Sequence, residues 1–158
     1  MLNQFKEFIK VLKVLDEYNV EYILIGGVAV ILHGIERLTR DIDLFVKMIP
    51  KNIKKLREAL YCAFNDSSIE EINFNELKKY PVIRYGTPGG FNIDIITHIG
   101  KVFGYEDLEF EIIEFQGIKI KIATPETLYK LKKDTLRYKD KGDAIFLKEL
   151  IKRKKDSE

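Results

Sequence analysis

Apolar residues at Phe5, Phe8, Ile9, Leu12 and Leu15 recur at the spacing of one helix face, predicting a helix over Leu2 to Glu17. The run Tyr22 to Ile25 reads as a short buried strand, and Gly26-Gly27 then opens a helix, Val28 to Leu32. That helix is apolar nearly all round, which predicts burial, and Gly34 ends it. Ile35 to Arg40 is a loop that delivers the chain to a strand from Asp41 to Val46. Pro50 starts another helix with Ile53, Leu56, Leu60 and Phe64 inward. Asn65 to Ser68 is a loop, and Asn75 to Lys79 a helical turn that stops before Pro81. Strands Pro81 to Tyr85 and Phe91 to Thr97 are joined by Gly86-Thr87-Pro88-Gly89-Gly90, a hairpin connection. Phe110 to Phe115 and Ile118 to Ile122 make a second hairpin around Gln116-Gly117. Thr124-Pro125 with Glu126 caps a helix that carries Lys130. A final helix runs from about Asp140 to Lys152, and Arg153 to Glu158 reads as a frayed polar tail. Pattern alone gives a mixture of α and β, with no internal repeat and no interdomain linker.

Composition bounds this picture. A chain of 158 residues, 46% hydrophobic and 33% charged, suits one soluble globular domain spanning 1–158. The apolar runs are too short to span a bilayer, so no membrane association is expected. Met1 to Lys10 carries charges throughout and lacks a signal-peptide core. The lone Cys62 cannot form an intramolecular disulfide, so a reducing cytoplasm is the expected compartment. Its apolar helical neighbourhood predicts a packed small side chain. A net charge of +2 does not announce a nucleic-acid binder, and the Lys-rich stretch Lys148 to Lys155 reads equally as a solvated helix face.

The chemistry concentrates in Arg37-Leu38-Thr39-Arg40-Asp41-Ile42-Asp43-Leu44. Alternate strand residues share a face, so Asp41 and Asp43 project together while Ile42 and Leu44 enter the core. Carboxylates held that close repel. A hard divalent cation relieves this, because Mg²⁺ binds through one or two carboxylates plus substrate phosphates. The upstream glycine pair offers a tight turn whose backbone N–H groups can approach a phosphate. A third acid, Asp94, stands alone in the apolar strand Phe91-Asn92-Ile93-Asp94-Ile95-Ile96. It is either exposed, or answers a Lys or Arg, or ligates a metal.

Together these residues resemble the nucleotidyltransferase superfamily whose fold is like the palm of DNA polymerase beta. That pattern is a glycine turn, then h-D-x-D-h on a strand, then a third Asp on a later strand. Ile25-Gly26-Gly27-Val28-Ala29-Val30 with His33-Gly34, Arg37, Thr39 and Asp41-Ile42-Asp43 is similar to the small AbiEii-toxin-like members. Pro125-Glu126-Thr127-Leu128-Tyr129-Lys130, then Arg137-Tyr138-Lys139-Asp140 and Asp143, resembles their downstream motifs. The resemblance spans about Tyr22 to Leu147. It implies an α+β fold, a mixed sheet flanked by helices, with a short helical C-terminal appendage.

The resemblance also implies roles. Asp41, Asp43 and Asp94 would be catalytic and would hold Mg²⁺ or Mn²⁺, in a two-metal transfer from a nucleoside triphosphate. Gly26 and Gly27 would cradle phosphates, and one of Arg37 and Arg40 would reach phosphate oxygens. Many relatives carry Ser where Gly27 stands here, so backbone donors alone, or Thr39, Arg37 or Arg40, would take over that hydroxyl's work. Thr39 reads equally as a loop-shaping hydroxyl. Lys130, Arg137, Lys139 and Asp140 would contact the nucleotide. Asp140 reads nearly as well as a helix N-cap with an exposed acidic neighbour in Asp143. His33 is expected at a helix end, bonded to backbone, and His98 follows the Asp94 strand. Acceptors in related proteins include RNA ends and protein side chains, and a cognate antitoxin is an expected partner. The rival reading is a non-catalytic protein of this fold that senses a nucleotide or holds a partner.

Overall fold

The computed structural model describes residues 2–35, 38–100, 103–132 and 138–157. Its helices are α1 (Leu2–Glu17), α2 (Gly26–Leu32), α3 (Pro50–Phe64), α4 (Phe74–Lys79), α5 (Pro125–Lys132) and α6 (Tyr138–Asp156). Its strands are β1 (Tyr22–Ile25), β2 (Asp41–Val46), β3 (Val82–Gly86), β4 (Asn92–Ile96), β5 (His98–Ile99), β6 (Phe103–Gly104), β7 (Phe110–Phe115) and β8 (Ile118–Ala123).

Six strands form one mixed sheet in the order β3-β4-β2-β1-β8-β7, and β5 pairs with β6 in a separate small ladder. The central pairs are β1–β2 antiparallel, β2–β4 parallel and β1–β8 parallel, with the hairpins β3–β4 and β7–β8 at the two ends. Register and alternation put Leu24, Ile42, Leu44, Ile93, Ile95, Tyr85, Ile120 and Ile122 on one face. Helices α1 and α3 cover it. Phe5 meets Phe115, Phe8 meets Phe91, and Phe64 meets Tyr85, all as edge-on ring pairs with centroids 5.2–5.9 Å apart. Most of the aliphatic residues on this face have no accessible surface. At about 1.5–3 kcal/mol for each fully buried large side chain, this layer outweighs any polar contact in fixing the register.

One buried amide ties the layers together. Asn52, 3% exposed in the first turn of α3, accepts the Glu21 N–H at 2.7 Å. Its Nδ2 donates to the carbonyls of Glu21 and Lys47, both at 2.9 Å. The entry to β1 and the exit of β2 are therefore clamped to the start of α3.

Several sequence expectations change. Ser67–Glu71 forms a 3-10 turn capped by Asp66, whose Oδ1 accepts the Ser68 N–H at 3.1 Å, where the sequence suggests a plain loop. Helix α6 runs on to Asp156, so most of the expected frayed tail is helical. Basic Arg153, Lys154 and Lys155 in the last turn suit the helix dipole. Cys62 is exposed rather than packed, because it lies about 200° around α3 from the inward Leu60. Among the described residues no helix is long and apolar enough to cross a membrane.

The amide clamp makes a prediction. Asn52→Ala strips the part-buried Glu21 N–H and Lys47 carbonyl of the Asn52 amide, while the Glu21 carbonyl keeps the Lys47 N–H, so urea unfolding should show a loss of about 2–3 kcal/mol.

Candidate active site

The sheet face opposite α1 and α3 carries the acids. Asp41 and Asp43 alternate with buried Ile42 and Leu44 on β2, and the parallel register sets Asp43 beside Asp94 and Asp41 beside Asn92. The antiparallel register of the β3–β4 hairpin then sets Arg84 beside Asp94. Three carboxylates, one amide and one guanidinium thus share a face across three neighbouring strands.

Their contacts follow from that register. Arg84 grips Asp94 with both arms of its fork, Nε to Oδ1 at 2.8 Å and Nη2 to Oδ2 at 3.1 Å. The same Nη2 lies 3.5 Å from Asp41 Oδ2. Asn92 Nδ2 donates to the other Asp41 oxygen, Oδ1, at 3.1 Å. The hydrogen bonds to Asp94, then the charges of Asp94, Asp41 and Asp43, make the guanidinium hold its proton more tightly than usual. Both acids are largely shielded, with side chains 13% exposed at Asp94 and 25% at Asp41, while Arg84 is 58% exposed.

Asp43 is positioned from the other side. Gly26 begins α2 directly after β1, with φ at +73°, and a Cβ there would collide with the Asp43 carboxylate, its Cγ only 2.8 Å away. Only glycine lets the chain turn this closely over the acid. The start of α2 has no side-chain cap.

The remaining sequence candidates divide. Thr39 Oγ1 is 3.2 Å from the Asp41 carbonyl and 3.3 Å from its N–H, a hydroxyl engaged in shaping the entry to β2. Arg40 is exposed, and its carbonyl accepts the Asn92 N–H at 3.1 Å. His33 Nε2 lies 2.9 Å from the Ala123 carbonyl, a helix-end bond to backbone. His98 pairs with Gly104 in the β5–β6 ladder. Lys130 is exposed on α5. Arg37 and Arg137 lie outside the described residues, as do the side chains of Lys139 and Asp140. Helix α6 starts at Tyr138, so Asp140 stands in its first turn and not at its N-cap. Asp143 is 2% exposed, not a solvated neighbour.

Two residues escape a reading of the sequence. Asn92 could have been found, since alternation puts it on the Asp94 face. Arg84 shares that face as well, but its direct pairing with Asp94 depends on the hairpin register.

As donors, carboxylate oxygens suit a hard divalent cation. The side chains as placed close on a guanidinium instead. Among the described residues no group of three or more His, Cys, Asp and Glu is arranged as a metal-ligand set.

The comparisons decide the family. Residues 11–142 match the family described as "Nucleotidyl transferase AbiEii toxin, Type IV TA system". The chain belongs to the AbiEii nucleotidyltransferase family. Its fold is similar to that of the lincosamide antibiotic adenylyltransferase LnuA, solved with lincomycin bound. There the TM-score is 0.59 and the identity 18%, over 90% of this chain and 95% of that one. It is also similar to an antigenic nucleotidyltransferase-like protein from Paracoccidioides brasiliensis, with TM-score 0.56 and 21% identity over 94% of this chain and 77% of that one. No curated protein matches the sequence. The mixed sheet flanked by helices is thus a nucleotidyltransferase fold, and the family's activity is nucleotidyl transfer.

The Gly26 contact predicts a measurable contrast. Gly90 also has a positive φ, +86°, but open space where a Cβ would go. Gly90→Ala should therefore cost only backbone strain, about 1–2 kcal/mol, and Gly26→Ala clearly more in urea unfolding, because Asp43 must also move.

Proposed function

We propose that this AbiEii-family chain transfers a nucleoside monophosphate from a nucleoside triphosphate to a macromolecular acceptor, an RNA end or a protein side chain, with Mg²⁺ or Mn²⁺. In this reading it is the toxin half of a toxin–antitoxin pair. The observation that supports it is the convergence of Asp41, Asp43 and Asp94 on one sheet face beside the Gly26 turn. A protein that only held a partner would have no use for mutually repelling acids at that point.

Each residue then has a task. Asp41, Asp43 and Asp94 hold the divalent cation, and Asp94, which lies at the strand pair nearest the edge, accepts the acceptor hydroxyl's proton. Asn92 orients Asp41 through its Oδ1. The Gly26-Gly27 backbone receives the β- and γ-phosphates, helped by Arg37 or Arg40. Lys130, Arg137, Lys139 and Asp140 line the nucleotide. The cation, when bound, supplies Lewis-acid stabilisation of charge developing on the phosphoryl oxygens. In-line displacement needs little else beyond fixed positions, which a buried sheet provides.

Incubation with each α-labelled triphosphate, Mg²⁺ or Mn²⁺, and either total RNA or lysate protein tests the reading. Label should move to one acceptor class, and Asp43→Asn or Asp94→Asn should slow this by on the order of a thousandfold with the fold intact by circular dichroism. Nucleotide binding without transfer to any acceptor would assign the non-catalytic role instead.

A further inference from the structure

Arg84 is the charged group in this site that the family pattern does not ask for, and it lies between Asp94 and Asp41. Its fork uses both oxygens of Asp94, at 2.8 and 3.1 Å, and its Nη2 faces Asp41 Oδ2 at 3.5 Å. Asn92 takes the other oxygen of Asp41 at 3.1 Å. Every carboxylate oxygen of Asp41 and Asp94 therefore already faces a donor.

We propose that Arg84 and a divalent cation are mutually exclusive occupants of this carboxylate group, so that Arg84 sets the metal concentration at which the site loads. This rests on the reading of Asp41, Asp43 and Asp94 as metal ligands. Two features make the exchange feasible. A guanidinium stays protonated throughout the physiological range, so it leaves the acids only by moving. It also has somewhere to go: β3 is the terminal strand of the sheet, and the Arg84 side chain is 58% exposed. Swinging outward into water disturbs no buried contact, whereas Tyr85 and Ile83 keep the strand seated from the other face. Without a cation, the same residue screens acids that would otherwise repel. With one, the cation takes the Asp94 and Asp41 oxygens that Arg84 grips, and the guanidinium is released.

The test is Mn²⁺ titration of the purified full chain without nucleotide, at constant ionic strength, with free Mn²⁺ read by electron paramagnetic resonance. Wild type, Arg84→Gln and Arg84→Lys are each compared with and without Asp43→Asn. Arg84→Gln should bind Mn²⁺ about five- to tenfold more tightly than wild type, and Asp43→Asn should abolish the binding in both. Arg84→Lys, which keeps the charge but loses the two-armed grip, should fall between, and it carries the comparison if the Gln variant does not fold. Binding that depends on Asp43 but is equal or weaker in Arg84→Gln overturns the competition while leaving the metal site standing. Binding that ignores Asp43→Asn, or no binding in any variant, overturns the metal site and the competition with it.

Discussion

Two carboxylates on neighbouring strands in direct register lie roughly 5 Å apart, and at an effective dielectric near 20 their repulsion is on the order of 3 kcal/mol. The β2–β4 register imposes that situation on Asp43 and Asp94, with Asp41 one step along the same face. An exposed ion pair contributes only about 0–1 kcal/mol, so attraction to Arg84 does not by itself account for the arrangement. The opposite face does. Ile42, Leu44, Ile93 and Ile95 have no accessible surface, and sliding the register by one residue would turn all of them outward. The core thus holds the acids together against their repulsion, and Arg84 relieves what remains.

The same logic explains the lesser fittings. Asp43 needs space beside β1, and Gly26 supplies it by carrying no side chain. Asp41 needs a fixed orientation, and Asn92, its register partner, donates to it while Thr39 shapes the backbone at its own peptide. These are neutral groups, so they orient the acids without reducing the local negative charge. The Arg84 guanidinium does reduce it, from an edge strand of the sheet.

Most elements were readable because their signals are local. The 3.6-residue spacing in α1, the Gly26-Gly27 break and the alternation around Asp41 and Asp43 each depend on a few adjacent residues. The Arg84 contact depends on a count across a hairpin instead. Ending the strands at Tyr85 and beginning the next at Phe91 would pair Arg84 with Asn92. The observed ladder pairs Gly86 with Asn92 and so sets Arg84 against Asp94. Thr87 decides the matter, its N–H and hydroxyl both bonding the Phe91 carbonyl at 2.9 Å and drawing Phe91 into the connection. A two-residue shift in hairpin register chooses the partner of the third acid, and no local periodicity encodes it. The end of α6 was missed for another reason: Lys, Arg and Glu are good helix formers, and no Gly or Pro follows Leu147 to stop them.

Asp94 is open in the sequence to three readings, an exposed acid, an acid that answers a basic residue and an acid that ligates a metal, and at 13% side-chain exposure the first falls away. The structure shows Asp94 answering Arg84, and under the proposed exchange the metal-ligating acid is the same position in a second circumstance. A carboxylate group strong enough to attract a divalent ion attracts any cation in reach, and a residue one strand from Asp94 and two from Asp41 and Asp43 on the same face is in reach. Under the proposed exchange, selection of the ion over the guanidinium would come from charge density: Mg²⁺ carries twice the charge in a fraction of the volume, and phosphate oxygens would complete its shell. A triphosphate arriving with its cation would bring both the stronger competitor and the anion that best accepts a displaced arginine. Under the proposed exchange, loading of the site would be coupled to the presence of substrate, through a side chain that the acids hold.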